Sequence, residues 1–190
     1  MNTKVLLLSF ALSCTFAGSA IAMTKAEYKT QKDQISADFK VNRAKCGSLK
    51  ANAKDICVSE AKGAEKVAKA ELETKYEPSP RHDEQLSMAK ANAAYDTAKE
   101  KCDDLAGNAK DVCVKDAKAA QVKAKEDAKV ARVAADTSKN KTDKMAEVKK
   151  DANAEKREAE YKAAKERCDG LAGDAKDTCQ TDAKVKYGMK

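Results

Sequence analysis

The placement of cysteine constrains this chain more than any other feature. Phe39-x6-Cys46-x2-Leu49-x3-Ala53-Lys54-Asp55-x-Cys57 is matched by Tyr95-x6-Cys102-x2-Leu105-x3-Ala109-Lys110-Asp111-x-Cys113. It is matched again by Tyr161-x6-Cys168-x2-Leu171-x3-Ala175-Lys176-Asp177-x-Cys179. An aromatic residue, two cysteines, a leucine and an Ala-Lys-Asp triplet hold one register three times. Self-similarity of this kind means one supersecondary unit used repeatedly.

The spacing within each copy reads as helix, tight turn, helix. Gly107 and Gly173 fall where a first helix should end, because glycine adopts the left-handed conformation cheaply. Asn52, Asn108 and Asp174 then read as N-caps of the second helix. Asp55, Asp111 and Asp177, three residues on, read as the second half of a capping box. The cysteines stand on either side of the turn, where two antiparallel helices bring them face to face. A disulfide needs Cα atoms about 5.5 Å apart, and closely packed alanine-rich helices allow that. The expected pairs are Cys46–Cys57, Cys102–Cys113 and Cys168–Cys179. Each closed loop contributes about 3 kcal/mol by loop-entropy arithmetic. Zinc ligation is the rival use of paired cysteines. Zinc sites space them two to four residues apart or add histidine. Here each pair is separated by ten residues, and the single histidine, His82, is remote. No metal or cofactor is expected.

The N-terminus reads as an export signal. Met1 to Lys4 is a short basic start, Val5 to Phe16 an apolar run, and Ala20-Ile21-Ala22 a small-residue cleavage site. Cleavage is expected between Ala22 and Met23. A retained anchor would need a longer apolar run. A lipoprotein reading would use Cys14, but Ala11 stands three before it instead of the usual leucine. Removal of residues 1–22 leaves six of the seven cysteines, all inside the repeated motif. The expected destination is the bacterial periplasm, where disulfides persist.

Composition narrows the fold further. The chain has 190 residues, with 37 Ala, 33 Lys and 31 Asp plus Glu. Leu, Ile, Val and Phe number only 26, well under the roughly 20% that an ordinary core requires. No Val/Ile-rich strand pattern is present. The fold expected is all-α: an extended, coiled-coil-like array of three disulfide-stapled antiparallel helical hairpins with no strands. Residues 23–77, 78–140 and 141–190 form the three hairpins. Ahead of the first turn, Tyr28, Ile35, Asn42 and Leu49 fall seven apart, with Lys32, Phe39 and Cys46 interleaved, as in a heptad seam. Ahead of the second, the seam is Met88, Ala91, Tyr95, Ala98, Cys102 and Leu105. The returning arms carry stripes of alanine: Cys57, Ala61, Ala64, Ala68 and Leu72, then Cys113, Ala117, Ala120, Ala124, Ala128 and Ala131. These seams suit pairing within a hairpin or between chains, and the sequence does not choose. Pro78-Ser79-Pro80 separates the first two hairpins, with Ser79 as cap and Pro80 at the first helical position. From Ala109 to Ala172 no proline or glycine intervenes until Gly170, so one helix of roughly 95 Å is conceivable. The stretch from Asp136 to Thr142 is its weakest part, either a joint or an exposed continuation.

Several functions are disfavoured. There is no nucleophile paired with a base, no glycine-rich phosphate loop and no H-E-x-x-H helix. Carboxylates alternate with lysines on exposed faces, where ion pairs contribute little. His82 reads as an exposed histidine near a helix start. No enzymatic activity is expected. The formal charge of +7 falls to +6 on loss of Lys4, 37 basic against 31 acidic residues. It is spread along the chain without a basic stripe or stacking aromatics, so nucleic acid is not an expected partner. Weak, salt-sensitive contact with anionic lipid or a polyanion fits better.

The stretches AAYDTAKEKCDDLAGNAKDVCVKDAKAA and AEYKAAKERCDGLAGDAKDTCQTDAK resemble a group of uncharacterised secreted proteobacterial proteins. These Ala/Lys-rich chains are often labelled cell envelope biogenesis protein TolA, or TolA-like. The likeness to TolA itself is compositional, to its long helical middle region, and no TolA functional residue maps onto a position here. The resemblance implies a non-enzymatic structural or interaction protein of the cell envelope with an unidentified envelope partner. AKAAQVKAKEDAKVARVAADTSKNKTDK also resembles late-embryogenesis-abundant proteins. That implies a stress-protective or chaperone-like role, with disorder when hydrated.

Overall fold

The computed structural model describes residues 23–138 and 140–190. Six α-helices run through them: α1 (Lys25–Lys45), α2 (Ala51–Tyr76), α3 (Pro80–Cys102), α4 (Gly107–Ala134), α5 (Lys141–Cys168) and α6 (Gly173–Tyr187). A short 3-10 turn, Cys46–Ser48, follows α1. The described residues contain no strand, and the architecture is all-α. The export signal and its cleavage point after Ala22 fall on residues 1–22, outside the described ones.

Each described helix packs against its neighbours in sequence and against no other. The chain therefore forms one row from α1 to α6, folding back at every turn. Three turns carry a disulfide and lie at one end of the row. The other two, α2–α3 and α4–α5, lie at the opposite end.

Local chemistry sets most helix ends. Thr24 opens α1 with a full capping box: Glu27 N–H donates to Thr24 Oγ1 at 3.2 Å, and Thr24 N–H donates to Glu27 Oε2 at 2.8 Å. Ser79 caps α3 by accepting from His82 N–H at 3.2 Å, with Pro80 in the first turn where its missing N–H costs nothing. Gly188, left-handed at φ 64°, closes α6, and Met189 N–H donates back to the Lys184 carbonyl at 2.9 Å.

The stapled turns differ from the sequence reading in one detail that repeats. Gly107 (φ 56°) and Gly173 (φ 55°) are left-handed, but they open the second helix and do not close the first. The first helices end earlier, at Cys102 and Cys168. The N-cap positions are Lys50, Ala106 and Ala172, none of which makes a side-chain cap bond. Asn52, Asn108 and Asp174 are thus not caps, and no capping box forms with Asp55, Asp111 or Asp177. The helix starts one residue too early, so these side chains lie inside its first turn. In the first copy the left-handed position is held by Ala51 at φ 47°. A non-glycine residue there costs on the order of 1 kcal/mol.

The run from 109 to 172 is not one helix. α4 stops at Ala134, and Asp136 draws the chain out of helix. Its carboxylate accepts from Ser138 N–H at 2.8 Å and from Ser138 Oγ at 3.0 Å. Such short side chains offer the backbone an alternative to helical bonding. The chain then reverses, and α5 lies along α4.

The core is narrow. Apart from Leu72, the buried apolar residues described are alanines and the cysteines Cys46, Cys102 and Cys168. Leu49 and Leu105, assigned to seams, are exposed at the turns. Ala64, Ala120, Ala124 and Ala131 are also exposed. An inner helix has a neighbour on each side, so it buries two narrow strips and not one continuous seam. The second strip explains Gly63. A Cβ there would sit 2.8 Å from the Ala93 Cβ, so α2 and α3 approach as closely as backbone permits. Pro78-Ser79-Pro80 separates the first two hairpins along the chain but not in space.

Candidate interaction surfaces

The stapled end is the most regular part of the molecule. The structure joins Cys46 to Cys57, Cys102 to Cys113 and Cys168 to Cys179, with Cα–Cα distances of 5.6, 5.7 and 5.6 Å. The first cysteine of each pair is fully buried between its two helices. Three such bonds place the folded chain in an oxidising compartment, extracellular or periplasmic.

Across the second and third turns a lysine is tied to an aspartate. Lys110 Nζ lies 2.9 Å from Asp103 Oδ1, and Lys176 Nζ lies 2.8 Å from Asp169 Oδ1. Hydrogen bonding to Asp103 raises the Lys110 ammonium above its ordinary value. Hydrogen bonding to Lys176 holds the Asp169 carboxyl below its own. Gly47 occupies the corresponding site in the first copy, so Lys54 has no such partner there.

The asparagines after the turns join one hairpin to the next. Asn52 Nδ2 donates to the Glu100 carbonyl at 2.7 Å, and Asn108 Nδ2 donates to the Glu166 carbonyl at 2.8 Å. Glu100 and Glu166 each stand two residues before the buried cysteine of the following copy, so the two bonds are equivalent. A second equivalent pair is ionic. Lys101 Nζ meets Glu60 Oε1 at 3.3 Å, and Arg167 meets Asp116. Ser59 and Thr97 hydroxyls also face each other at 3.5 Å across the first joint. Sequence reading missed these links. Their trace in the sequence is the change from Asn52 and Asn108 to Asp174 in an otherwise matched position.

At the opposite end of the first hairpin, Tyr28 packs on Tyr76 with ring centroids 4.5 Å apart, and its hydroxyl donates to Glu73. That bond raises the Tyr28 phenol above its ordinary value. Tyr95 and Tyr161 are half-buried. Lys118 Nζ lies 5.2 Å from the centroid of the Tyr95 ring.

His82 lies on the first turn of α3, with Nδ1 2.5 Å from the Glu77 carbonyl. A carbonyl only accepts, so this ring nitrogen is the donor. No described group of three His, Cys, Asp or Glu residues is placed to hold a metal. A cleft of about 410 Å³ lies between the α2–α3 and α4–α5 turns and is lined by Arg81, Arg132, Asp136 and Lys144. Two of its cations are already paired, Arg132 with Glu84 at 2.8 Å and Lys144 with Asp136 at 3.4 Å. No described helix is long and apolar enough to cross a membrane.

No family model, curated protein or solved structure matches the chain.

Proposed function

We propose that this protein is a non-enzymatic structural or interaction protein of the bacterial periplasm, associated with the cell envelope and TolA-like in its Ala/Lys-rich helical build. The observation that carries the reading is the row of three stapled hairpins. It is covalently fixed at one end, and Lys, Glu and Asp cover its outer faces. Such a row makes a stiff spacer with charged sides. Export through a signal cleaved between Ala22 and Met23 delivers it to the compartment its disulfides require. The partner is an envelope component, reached through exposed ion pairs and therefore released by salt. Anionic lipid or another polyanion would bind weakly by the same means. The test is co-purification from periplasmic extract at low salt. One defined component eluting between low and high salt supports the reading. The protein eluting alone at every ionic strength contradicts it.

A second reading, protection of membranes or unfolding proteins under stress, rests on the thinness of the core. Six alanines, three cysteines and Leu72 are the buried apolar residues described. A chain with so little buried apolar area depends on its staples for order. Preservation of a test enzyme through drying or heating, at stoichiometric amounts, supports this reading. Loss of the enzyme at the rate seen with an unrelated helical protein removes it.

A further inference from the structure

The two ends of the row carry the halves of a joint that the chain already makes twice within itself. In the α2–α3 joint, the face of α3 is the row Ala93, Thr97 and Lys101, spaced four apart along one side of the helix. Ala93 meets Gly63, Thr97 meets Ser59, and Lys101 meets Glu60. The matching row on α5 is Ala159, Ala163 and Arg167, with Ala163 buried and Arg167 paired to Asp116 of α4. Counting back from the first cysteine of each motif, the matching row on α1 is Ala37, Val41 and Lys45. No described helix precedes α1, so that row faces outward. Val41 is 56% exposed.

The complementary face exists at the far end. Ser59, Glu60 and Gly63 stand two, three and six residues after Cys57. The same offsets from Cys179 give Thr181, Asp182 and Val185. α6 has only α5 beside it, and Val185 is 76% exposed. The two most exposed large apolar side chains described, Val41 and Val185, therefore occupy positions that the internal joints cover. Terminal units of a stacked array ordinarily carry polar outer faces.

We infer that the outward face of α6 docks on the outward face of α1 of a second copy of this chain, head to tail. In that joint Val185 stands where Gly63 stands between α2 and α3, so the two helices sit farther apart than α2 and α3 do, with the Val185 side chain over Ala37. Val41 lies against Thr181, and Lys45 pairs with Asp182. The charges are of opposite sign, as in both internal joints. Two positions oppose the contact: Val185 holds the helices farther apart than a glycine would, and Asp174 replaces an asparagine. Asp174 stands where Asn52 and Asn108 donate, and the carbonyl it would meet is that of Ala44. An ionised carboxylate has no proton to give. The joint therefore lacks one bond and holds weakly. A heterologous contact of this kind extends into open chains unless its rotation closes a ring. With α6 only 15 residues long, the contact belongs to the small, transient class of interfaces. This proposal goes beyond the envelope role, and its test uses purified protein alone, so either can fail without the other.

The experiment is sedimentation equilibrium of the oxidised protein up to about 1 mM, where weak specific association becomes visible. The expected result is an average mass that rises with concentration. Val41→Lys and Val185→Lys should each be monomeric alone, with helicity unchanged by circular dichroism. Mixed in equal amounts they should form dimers and nothing larger, because only one intact joint can form between them. Asp174→Asn should tighten association severalfold. A single monomeric species for both the natural chain and Asp174→Asn overturns the inference. Association that survives both lysine substitutions overturns it as well.

Discussion

The two ends of the helical row are built on different principles. At one end three turns share a motif, a covalent bond and nearly the same backbone, down to the left-handed residue that opens the second helix. At the other end the two turns share nothing. One is fixed by Ser79 and Pro80, the other by Asp136 and Ser138. Where geometry is held by covalent bonds, the sequence between them must conform. Where it is held by local hydrogen bonds, any adequate set serves. The stapled end should therefore resist perturbation until a bond is cut, while the other end should loosen by degrees.

Cutting a staple should have the largest effect. Replacing Cys102 and Cys113 by serine is expected to lower stability by about 3 kcal/mol, read as a shift in the denaturation midpoint. Replacing Cys168 and Cys179 should cost a similar amount but free α6 alone, because α6 packs on nothing but α5. Hydrogen exchange separates the two cases: protection should fall across α3 and α4 in the first, and in α6 only in the second.

Overfilling the joint between hairpins comes next. Gly63→Val puts side-chain atoms where even a Cβ lies 2.8 Å from Ala93. The expected cost is about 1–3 kcal/mol. A neutral outcome in thermal unfolding would mean that α2 and α3 do not pack as described.

The left-handed position offers a smaller test with opposite signs. Ala51→Gly should raise stability by about 1 kcal/mol, since alanine is strained at φ 47°. Gly107→Ala should lower it by a similar amount. Equal and same-signed effects would show that the turns are not equivalent.

The smallest effect is expected at the unstapled end, from pH. Hydrogen bonds from the Ser138 backbone and hydroxyl hold the Asp136 carboxyl below its ordinary value. A carboxyl lowered on folding stabilises the fold above its unfolded pKa, and that contribution disappears as pH falls through the folded value. The α4–α5 turn should therefore loosen only below about pH 4, while the stapled turns keep their form. A proton-resonance titration of the Ser138 amide reads this directly.

The sequence made the staples and the helical class legible for a physical reason. Cysteines in fixed register around a turn admit few geometries, and the Ser79–Pro80 start is decided within three residues. The joints between hairpins were hidden. Gly63 reads as a weak helix residue until Ala93 is found beside it, and Asn52 reads as a cap until the Glu100 carbonyl is found in front of it. Both depend on a neighbour more than 25 residues away. Burial was misjudged at Leu49 and Leu105 because both fall past the ends of α1 and α3, in the turns, where the heptad pattern no longer describes a helix face. The break after Ala134 was legible only as a weakness, because Asp136 and Ser138 suit an exposed helix nearly as well as a turn.

The most direct test of the stapled array is far-UV circular dichroism of the whole protein through a thermal melt, oxidised and fully reduced. The oxidised protein should be highly helical and unfold cooperatively. Reduction should remove a large part of that helicity and lower the midpoint sharply, because the alanine core alone is too thin to hold six helices in register. A spectrum without helix in both states, or the same melt with and without the disulfides, would contradict it.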